Sequence, residues 1–289
     1  GCWLNIFSLW RESMHPHKIS SLTRFVLHFN KFMSVFSSNF TAHRRDVFPV
    51  ASSYVEGLVQ QITRKNIARI NEHVPDFKYD SHHCVISDSP WSHQSLNHHI
   101  AQQANDLIGG ETSILTVDES GFTKSGNESA GVARQYNGRL GKLDNCQVGV
   151  FATLSRMEQR AIIGCRLFLP QKWTRNAKRC KKAGIPKDQR QYKTKPQLAL
   201  ELVDEAREAK VKFGMVTGDA VYGSSEFAHA LDERRIPFSL DIRGNQRVYL
   251  NDPKPGIPQR KGDTGRSRSV LKTDESSIAV STLAKRIKK

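Results

Sequence analysis

Apolar and polar residues follow two different rhythms along this chain, and the change falls near residue 110. From Ser20 the phenylalanines Phe25, Phe29, Phe32, Phe36 and Phe40 recur every three or four residues. That spacing lays one aromatic stripe along a single helical face, and such a stripe predicts core packing. After Pro49 the helical period continues through Val50, Tyr54, Leu58 and Ile62, then through Ile67, Ile70 and Val74 until Pro75 ends it. Ser89 and Pro90 then read as an N-cap with proline at the first helical position, with Trp91, Leu96, Ile100 and Leu107 on the buried side and Gly109-Gly110 as the stop. Residues 20–110 are therefore expected to form an all-helical module.

Beyond Gly110 short runs of β-formers take over. The stretches ILTVDESGF, AGVARQYNG, NCQVGVFATLS and QRAIIGCRLFLP are β-rich and separated by glycine or polar turns, and the last three predict an antiparallel meander. The period then lengthens again: QLALELVDEAREAK, after Lys195-Pro196, puts Leu198, Leu202 and Ala206 on one face, as in a crossover helix. It leads into FGMVTGDAVYG, a second strand, then a helix through Phe227, Ala230 and Leu231, then the strand PFSLDIR. This order predicts an α/β fold, a ribonuclease H-like mixed-sheet core over residues 111–250 preceded by the helical module.

Two carboxylates sit where that core would expose them. Asp118 and Asp219 each follow a short apolar run and precede a glycine-bearing turn, so each falls at a strand end, where side chains point into a crevice. Carboxylates from two strands repel one another unless a cation lies between them, and a divalent metal with oxygen ligands meets that need. Glu119 alternates to the opposite face of its strand and is not a ligand candidate.

Charge narrows the partner. The 289 residues carry 44 Lys and Arg against 28 acids, a formal charge of +16, spread through the sequence as a field and not a tail. Such a balance favours nucleic acid. On helices of the first module Arg44, Arg45, Arg64, Lys65 and Arg69 suit phosphate contacts, and Lys124, Lys193 and Lys195 do so in the second. No apolar run approaches the roughly 20 residues that cross a bilayer, so no membrane partner is expected. Five cysteines, an odd number without CxxC spacing, signal neither a disulfide framework nor a zinc ribbon, and fit a reducing, cytoplasmic compartment. His82, His83, His93, His98 and His99, with Cys84, match no zinc spacing. Residues 1–19 open on GCWLNIFSLW without a basic n-region or cleavage site, and read as an irregular or non-native segment outside the fold.

The ordered blocks VDESGF, GVARQYNG, DNCQVGVF, LFLPQKW, TKPQLALELV and VTGDAVYG make the chain similar to bacterial insertion-sequence transposases of the DDE type, most closely the IS701 group of the IS4-like set. The similarity runs from Ile114 to about Lys272, and the helical region also resembles that group's amino-terminal part. It implies DNA cleavage and strand transfer at the ends of a mobile element, with two Mg²⁺ or Mn²⁺ ions held by two aspartates and a glutamate. The two aspartates carry over to Asp118, the natural shared ligand on a central strand, and to Asp219. The partners it implies are double-stranded DNA, as terminal inverted repeats and target, and a second copy of the chain, since two element ends require two sites. The expected place of action is the bacterial nucleoid.

The third carboxylate is where the pattern departs. After PFSLDIR, residues 251–289 begin as a Pro, Gly and basic stretch, DPKPGIPQRKGDTGRSRS, expected to be a mobile loop. TDESSIAVSTLAKRIKK then starts a helix with Ile278, Leu283 and Ile287 inward. Glu275 is the one acid there positioned to complete the set, and as a helix-start acid beside a threonine it has a structural explanation of its own. With two carboxylates in place of three, the expectation is an incomplete enzyme, weakly active or inactive by itself. The alternative is a catalytically inactive, truncated transposase that acts only as a DNA-binding protein.

Overall fold

The computed structural model describes residues 21–42, 45–60, 62–63, 65–74, 76–89, 91–258 and 269–287. Segment 1–19, Arg44, Arg64, Pro75, Pro90 and residues 259–268 of the basic stretch lie outside the described residues. The amino-terminal part runs α1 (Ser21–Ser34), a 3-10 turn (Ser37–Phe40), the two-residue strands β1 (Thr41–Ala42) and β2 (Arg45–Asp46), then α2 (Phe48–Val59), α3 (Ile67–His73), α4 (Tyr79–Ser87) and α5 (His93–Ile108). The phenylalanine stripe outlasts its helix. Phe29 lies in α1, while Phe36 and Phe40 are buried around the 3-10 turn, and Phe25 at the other end is 38% exposed. Phe36, Phe40, Ala51 and Val85 form the core of this part, with Trp91, Leu96 and Ile100 against it.

Two features differ from the periodicity reading. Helix α5 is capped by Ser92, whose side chain accepts from the Ser95 amide, and not by Ser89. Its inward residues along the carboxyl-terminal half are Ala101, Ala104 and Ile108, while Leu107 is exposed. Small alanines allow close approach, and the surface they approach is the sheet: Ala101, Ala104 and Ile108 pack in one cluster with Leu115, Val150, Leu154 and Leu202. Helix α5 therefore serves both halves of the chain. The helical part is also not purely helical, since β1 and β2 pair as a short antiparallel ladder.

The sheet follows: β3 (Ile114–Thr123), β4 (Ala133–Asn137), β5 (Lys142–Arg156), β6 (Gln159–Leu167), α6 (Gln171–Thr174), α7 (Ala177–Lys182), α8 (Lys195–Glu208), β7 (Met215–Gly218), α9 (Ser225–Glu233) and β8 (Phe238–Leu240). The strand order is β4-β5-β3-β7-β8, with β6 also on β5. Strands β4, β3 and β6 all run antiparallel to β5, and β3-β7 and β7-β8 are parallel. This mixed α/β sheet is consistent with a ribonuclease H-like core. A parallel neighbour needs a crossover, and α8 supplies it: its capping box of Thr194 and Gln197 fixes the start, and Leu198, Ala199, Leu202, Val203 and Ala206 face the sheet. Arg234, at the end of α9, grips the Asp204 carboxylate of α8 with two bonds of 2.7 and 2.9 Å.

After β8 come the short strands β9 (Arg247–Val248), β10 (Pro255–Gly256), β11 (Lys272–Thr273) and β12 (Ile278–Ala279), then α10 (Val280–Ile287). Pairing of β10 with β11 brackets the basic stretch, and β9 pairs with β12. Ile278 thus belongs to a strand, and Ile287 is 76% exposed instead of inward. Backbone pairing claimed Ile278 before the helix began. Leu202 is expected to matter most among these helix contacts: Leu202→Ala should lower unfolding free energy by about 2–5 kcal/mol in urea titration, whereas Ile287→Ala should stay within about 0.5 kcal/mol.

Candidate functional site

The register of β3 on β7 decides where the two acidic side chains lie. Val117 is opposite Gly218, so the next residues, Asp118 and Asp219, lie at the same level. Asp219 follows the last residue of β7, but Asp118 is not at the strand end its sequence context predicts, because pairing with β5 carries β3 on to Thr123. Neighbouring strands are about 4.8 Å apart. One step back, Thr116 and Thr217 touch through their hydroxyls at 3.1 Å, so these alternate positions share one face of the sheet. On β3 that face carries Thr116, Asp118, Ser120 and Phe122, half-buried or exposed, while Leu115 and Val117 point to the buried, helix-covered side.

Each aspartate is held by the backbone amide of a residue that follows it. Asp118 Oδ1 accepts from the Glu119 amide at 2.7 Å. Asp219 Oδ1 accepts from the Val221 amide at 2.9 Å, and its carbonyl accepts from the Tyr222 amide at 2.9 Å, which closes the turn after β7. That turn presses on the end of β8, where the Asp241 carbonyl occupies the space a side chain at Gly223 would need. Among the described residues the Oδ2 atom of neither aspartate has a hydrogen-bond partner. Partial burial raises the Asp118 carboxyl above the usual range, and the negative charges of Asp219 and Glu119 raise it further, against the Glu119 amide and Lys195.

Beneath this pair, on the opposite face of β3, lies a polar clamp. Glu119 accepts from Lys195 Nζ at 2.6 Å and from the Tyr222 hydroxyl at 2.9 Å. The Lys195 and Glu119 side chains are only 20% and 15% exposed. Burial and the Glu119 charge push the Tyr222 hydroxyl far up, so it stays a donor. The clamp joins β3, the first turn of α8 and the turn after β7, the three segments that set the position of the aspartates. Strand alternation puts Glu119 on this face, but its partners are 76 and 103 residues away and no local signal names them.

The other candidate residues are dispersed. Lys193 pairs with Glu201 at 2.5 Å, Arg69 with Glu72 at 2.7 Å, and Lys65 donates to the Leu58 carbonyl at 2.6 Å. Arg45 is exposed on β2, and the Lys124 amide donates to the Asn145 carbonyl. Glu275 accepts from Asn251 and stands beside Thr273, in the carboxyl-terminal strand pairs. Among the described residues no group of three or more His, Cys, Asp or Glu side chains is arranged to hold a metal ion. His82 is buried with Nε2 3.2 Å from Ser53 Oγ, and Cys84, Cys146, Cys165 and Cys180 are unpaired thiols. No described helix is long and apolar enough to cross a membrane.

The mixed sheet with its crossover helix places the chain in the α/β class and is consistent with a ribonuclease H-like core. The family model of the DDE superfamily endonucleases matches residues 35–288, and the chain belongs to that family. It is similar to the "Probable transposase for insertion sequence element IS701" of Microchaete diplosiphon, with 29% identity over 198 residues. The aligned region is 67% of this chain and 48% of that protein, so the chain spans about half the length of the curated relative it matches. The likeness to IS701-type DDE transposases read from the sequence blocks holds.

Two outcomes follow from this geometry. Because the fold raises the Asp118 carboxyl, its contribution to stability is full below the unfolded value and is lost as pH rises through the folded one. In EDTA at pH 8, Asp118→Asn should therefore melt above the wild type, and the difference should close as pH falls through the carboxylate range. Glu119→Ala should cost about 1.5–3 kcal/mol in urea unfolding, because it strands Lys195 and Tyr222.

Proposed function

We propose that this chain is the nuclease portion of an insertion-sequence transposase, a metal-dependent enzyme that cleaves double-stranded DNA at element ends and joins the freed strand to a target. The observation that carries this reading is the placement of Asp118 and Asp219 on adjacent parallel strands of the mixed sheet. Their chemistry fits a divalent cation: both offer hard oxygen donors, each keeps one oxygen outside its hydrogen bond to a local backbone amide, and the charge of Asp219 raises the cost of ionising Asp118. Asp118 and Asp219 would hold Mg²⁺ or Mn²⁺, two ions by likeness to the family. When bound, the ions supply stabilisation of developing charge on the phosphodiester oxygens and activation of a water or a 3′-hydroxyl.

The chain's own residues then have separable tasks. Asp118 and Asp219 present the carboxylates from fixed backbone positions. Glu119, Lys195 and Tyr222 hold those positions from below without reaching the open face. We assign no ligand role to Glu275, which is engaged with Asn251. The net charge of +16 supports a DNA duplex as the polyanion, and two copies of the chain would serve the two ends of an element.

Nicking of supercoiled plasmid by the purified chain with Mg²⁺ or Mn²⁺ tests this. Asp118→Asn and Asp219→Asn should each lower the rate by at least on the order of 100-fold, more than the loss of an outer-shell partner brings. Either ion should raise the melting temperature of the wild type and leave that of Asp118→Asn unchanged. DNA binding without nicking would instead make the chain a DNA-binding module, and nicking that survives both substitutions would remove the two aspartates from the site.

A further inference from the structure

The segment between β6 and α8 is a small folded cap with its own core. Leu169, Trp173, Cys180 and Ile185 are buried together, with Ala130 and Ala183 against them. The Trp173 indole donates to the Val132 carbonyl at 2.7 Å, and the Arg179 guanidinium lies 3.8 Å over its ring. Arg179 also donates to the Asn127 carbonyl at 2.7 Å, and the Cys180 thiol to the Trp173 carbonyl at 3.2 Å. These bonds fix α6 and α7 against the loop that leads into β4.

The cap is placed at the carboxylate end of the sheet. Cys165 on β6 faces Phe151 on β5, which faces Asp118 on β3, and the chain enters the cap a few residues after Cys165. It leaves the cap at Lys195, whose ammonium grips Glu119. Both ends of the segment are therefore tied to the level of the aspartate pair.

Its charge is one-sided. Residues 171–195 hold ten Lys and Arg and one acid, Asp188. Four of the ten are only partly exposed and have structural partners: Arg179 on Trp173, Arg190 on the Ile185 carbonyl, Lys193 on Glu201 and Lys195 on Glu119. The other six, Lys172, Arg175, Lys178, Lys181, Lys182 and Lys187, are exposed. Among the described residues only Lys182 of these six has an ion pair, with Glu128 at 2.6 Å. Lys178, Lys181 and Lys182 follow i, i+3, i+4 spacing, so they share one face of α7. Packing and ion pairing explain the four partnered cations and Lys182, and leave Lys172, Arg175, Lys178, Lys181 and Lys187 without an ion pair among the described residues, repelling one another on a rigid support.

We propose that the α6–α7 cap is a duplex-binding surface that holds the DNA phosphate backbone beside the Asp118–Asp219 pair. This rests on the reading of the chain as a DNA nuclease and adds the surface that positions its substrate. Lysines on a fixed cap contact phosphates and set register without reading sequence.

The test compares two triple variants of equal charge. Lys172→Gln/Lys178→Gln/Lys181→Gln neutralises the cap, and Arg207→Gln/Lys210→Gln/Lys212→Gln neutralises exposed cations at the far end of α8 and the turn before β7. Binding to a linear DNA duplex is read by fluorescence anisotropy across a salt series. The cap variant should lose at least about 10-fold in affinity, and the slope of log K against log salt should become shallower by about 2–3, while the far-end variant keeps the wild-type slope. An unchanged slope in the cap variant, or equal loss in both, overturns the cap assignment and leaves the nuclease reading standing. A wild-type chain that fails to bind duplex overturns both. If the cap variant does not fold, lysine acetylation of the wild type decides: DNA should protect Lys172, Lys178 and Lys181 and spare Lys210 and Lys212, and absence of that protection overturns the proposal.

Discussion

The parallel pairing of β3 with β7 is the constraint on which the rest of the molecule depends. It sets Val117 against Gly218 and so leaves Asp118 and Asp219 side by side with no charge between them. Like charges at a strand spacing oppose folding, and the structure answers on the other face of the same strands. There Glu119 takes an ammonium and a hydroxyl, from the first turn of α8 and from the turn after β7. The crossover that makes the parallel pair possible also delivers Lys195 to the residue next to Asp118. Attraction below thus holds in place the strands whose acids repel above.

Much of this arrangement is legible in the sequence, for a physical reason. Burial on one face forces the period of two in β3 and the period of 3.6 in α8, so ILTVD, QLALELV and GMVTGD announce a strand, a crossover helix and a second strand. The acid after GMVTG marks a strand end, whereas the one after ILTV does not, because pairing with β5 extends β3 to Thr123. In the amino-terminal part Phe29, Phe36, Phe40 and Ile70 are buried as their spacing predicts, while Phe25 and Leu107 are exposed. Small residues mislead: Ala101 and Ala104 give little hydrophobic signal, yet they are what lets α5 lie against the sheet. The start of α5 is misplaced because Ser89 and Ser92 both satisfy the N-cap pattern and only tertiary packing selects between them. Helix α4 escapes because YDSHHCVIS has almost no apolar stripe, although Val85 and His82 are buried.

Partners far apart in the chain are illegible for a different reason. Nothing near Glu119 points to Lys195 or Tyr222, and nothing in QKWTRNAKRCKKAGI distinguishes a solvated basic loop from a folded cap. Trp173 makes the difference, because a single indole with its ring under Arg179 and its N–H on Val132 can organise a short polar segment. Its neighbours then follow from geometry: Cys180 and Ile185 come to the inside, and the lysines between them are left outside.

Charge in this chain is accordingly sorted by position and not merely in excess. A net +16 spread at random would pair most acids with nearby cations. Here Glu119, Glu201, Asp204 and Glu205 are all satisfied by Lys or Arg within the sheet and helix layer. Asp118 and Asp219 are left to the backbone amides of Glu119 and Val221, and the cap cations stay outward at the same end of the sheet. The like charges gathered on each support, acids on the strands and cations on the cap, repel one another and cost stability. Such an arrangement gains free energy only from charges the chain does not itself contain, cations at the aspartates and anions along the cap. In the function proposed above, a phosphodiester backbone with its associated divalent ions would supply both.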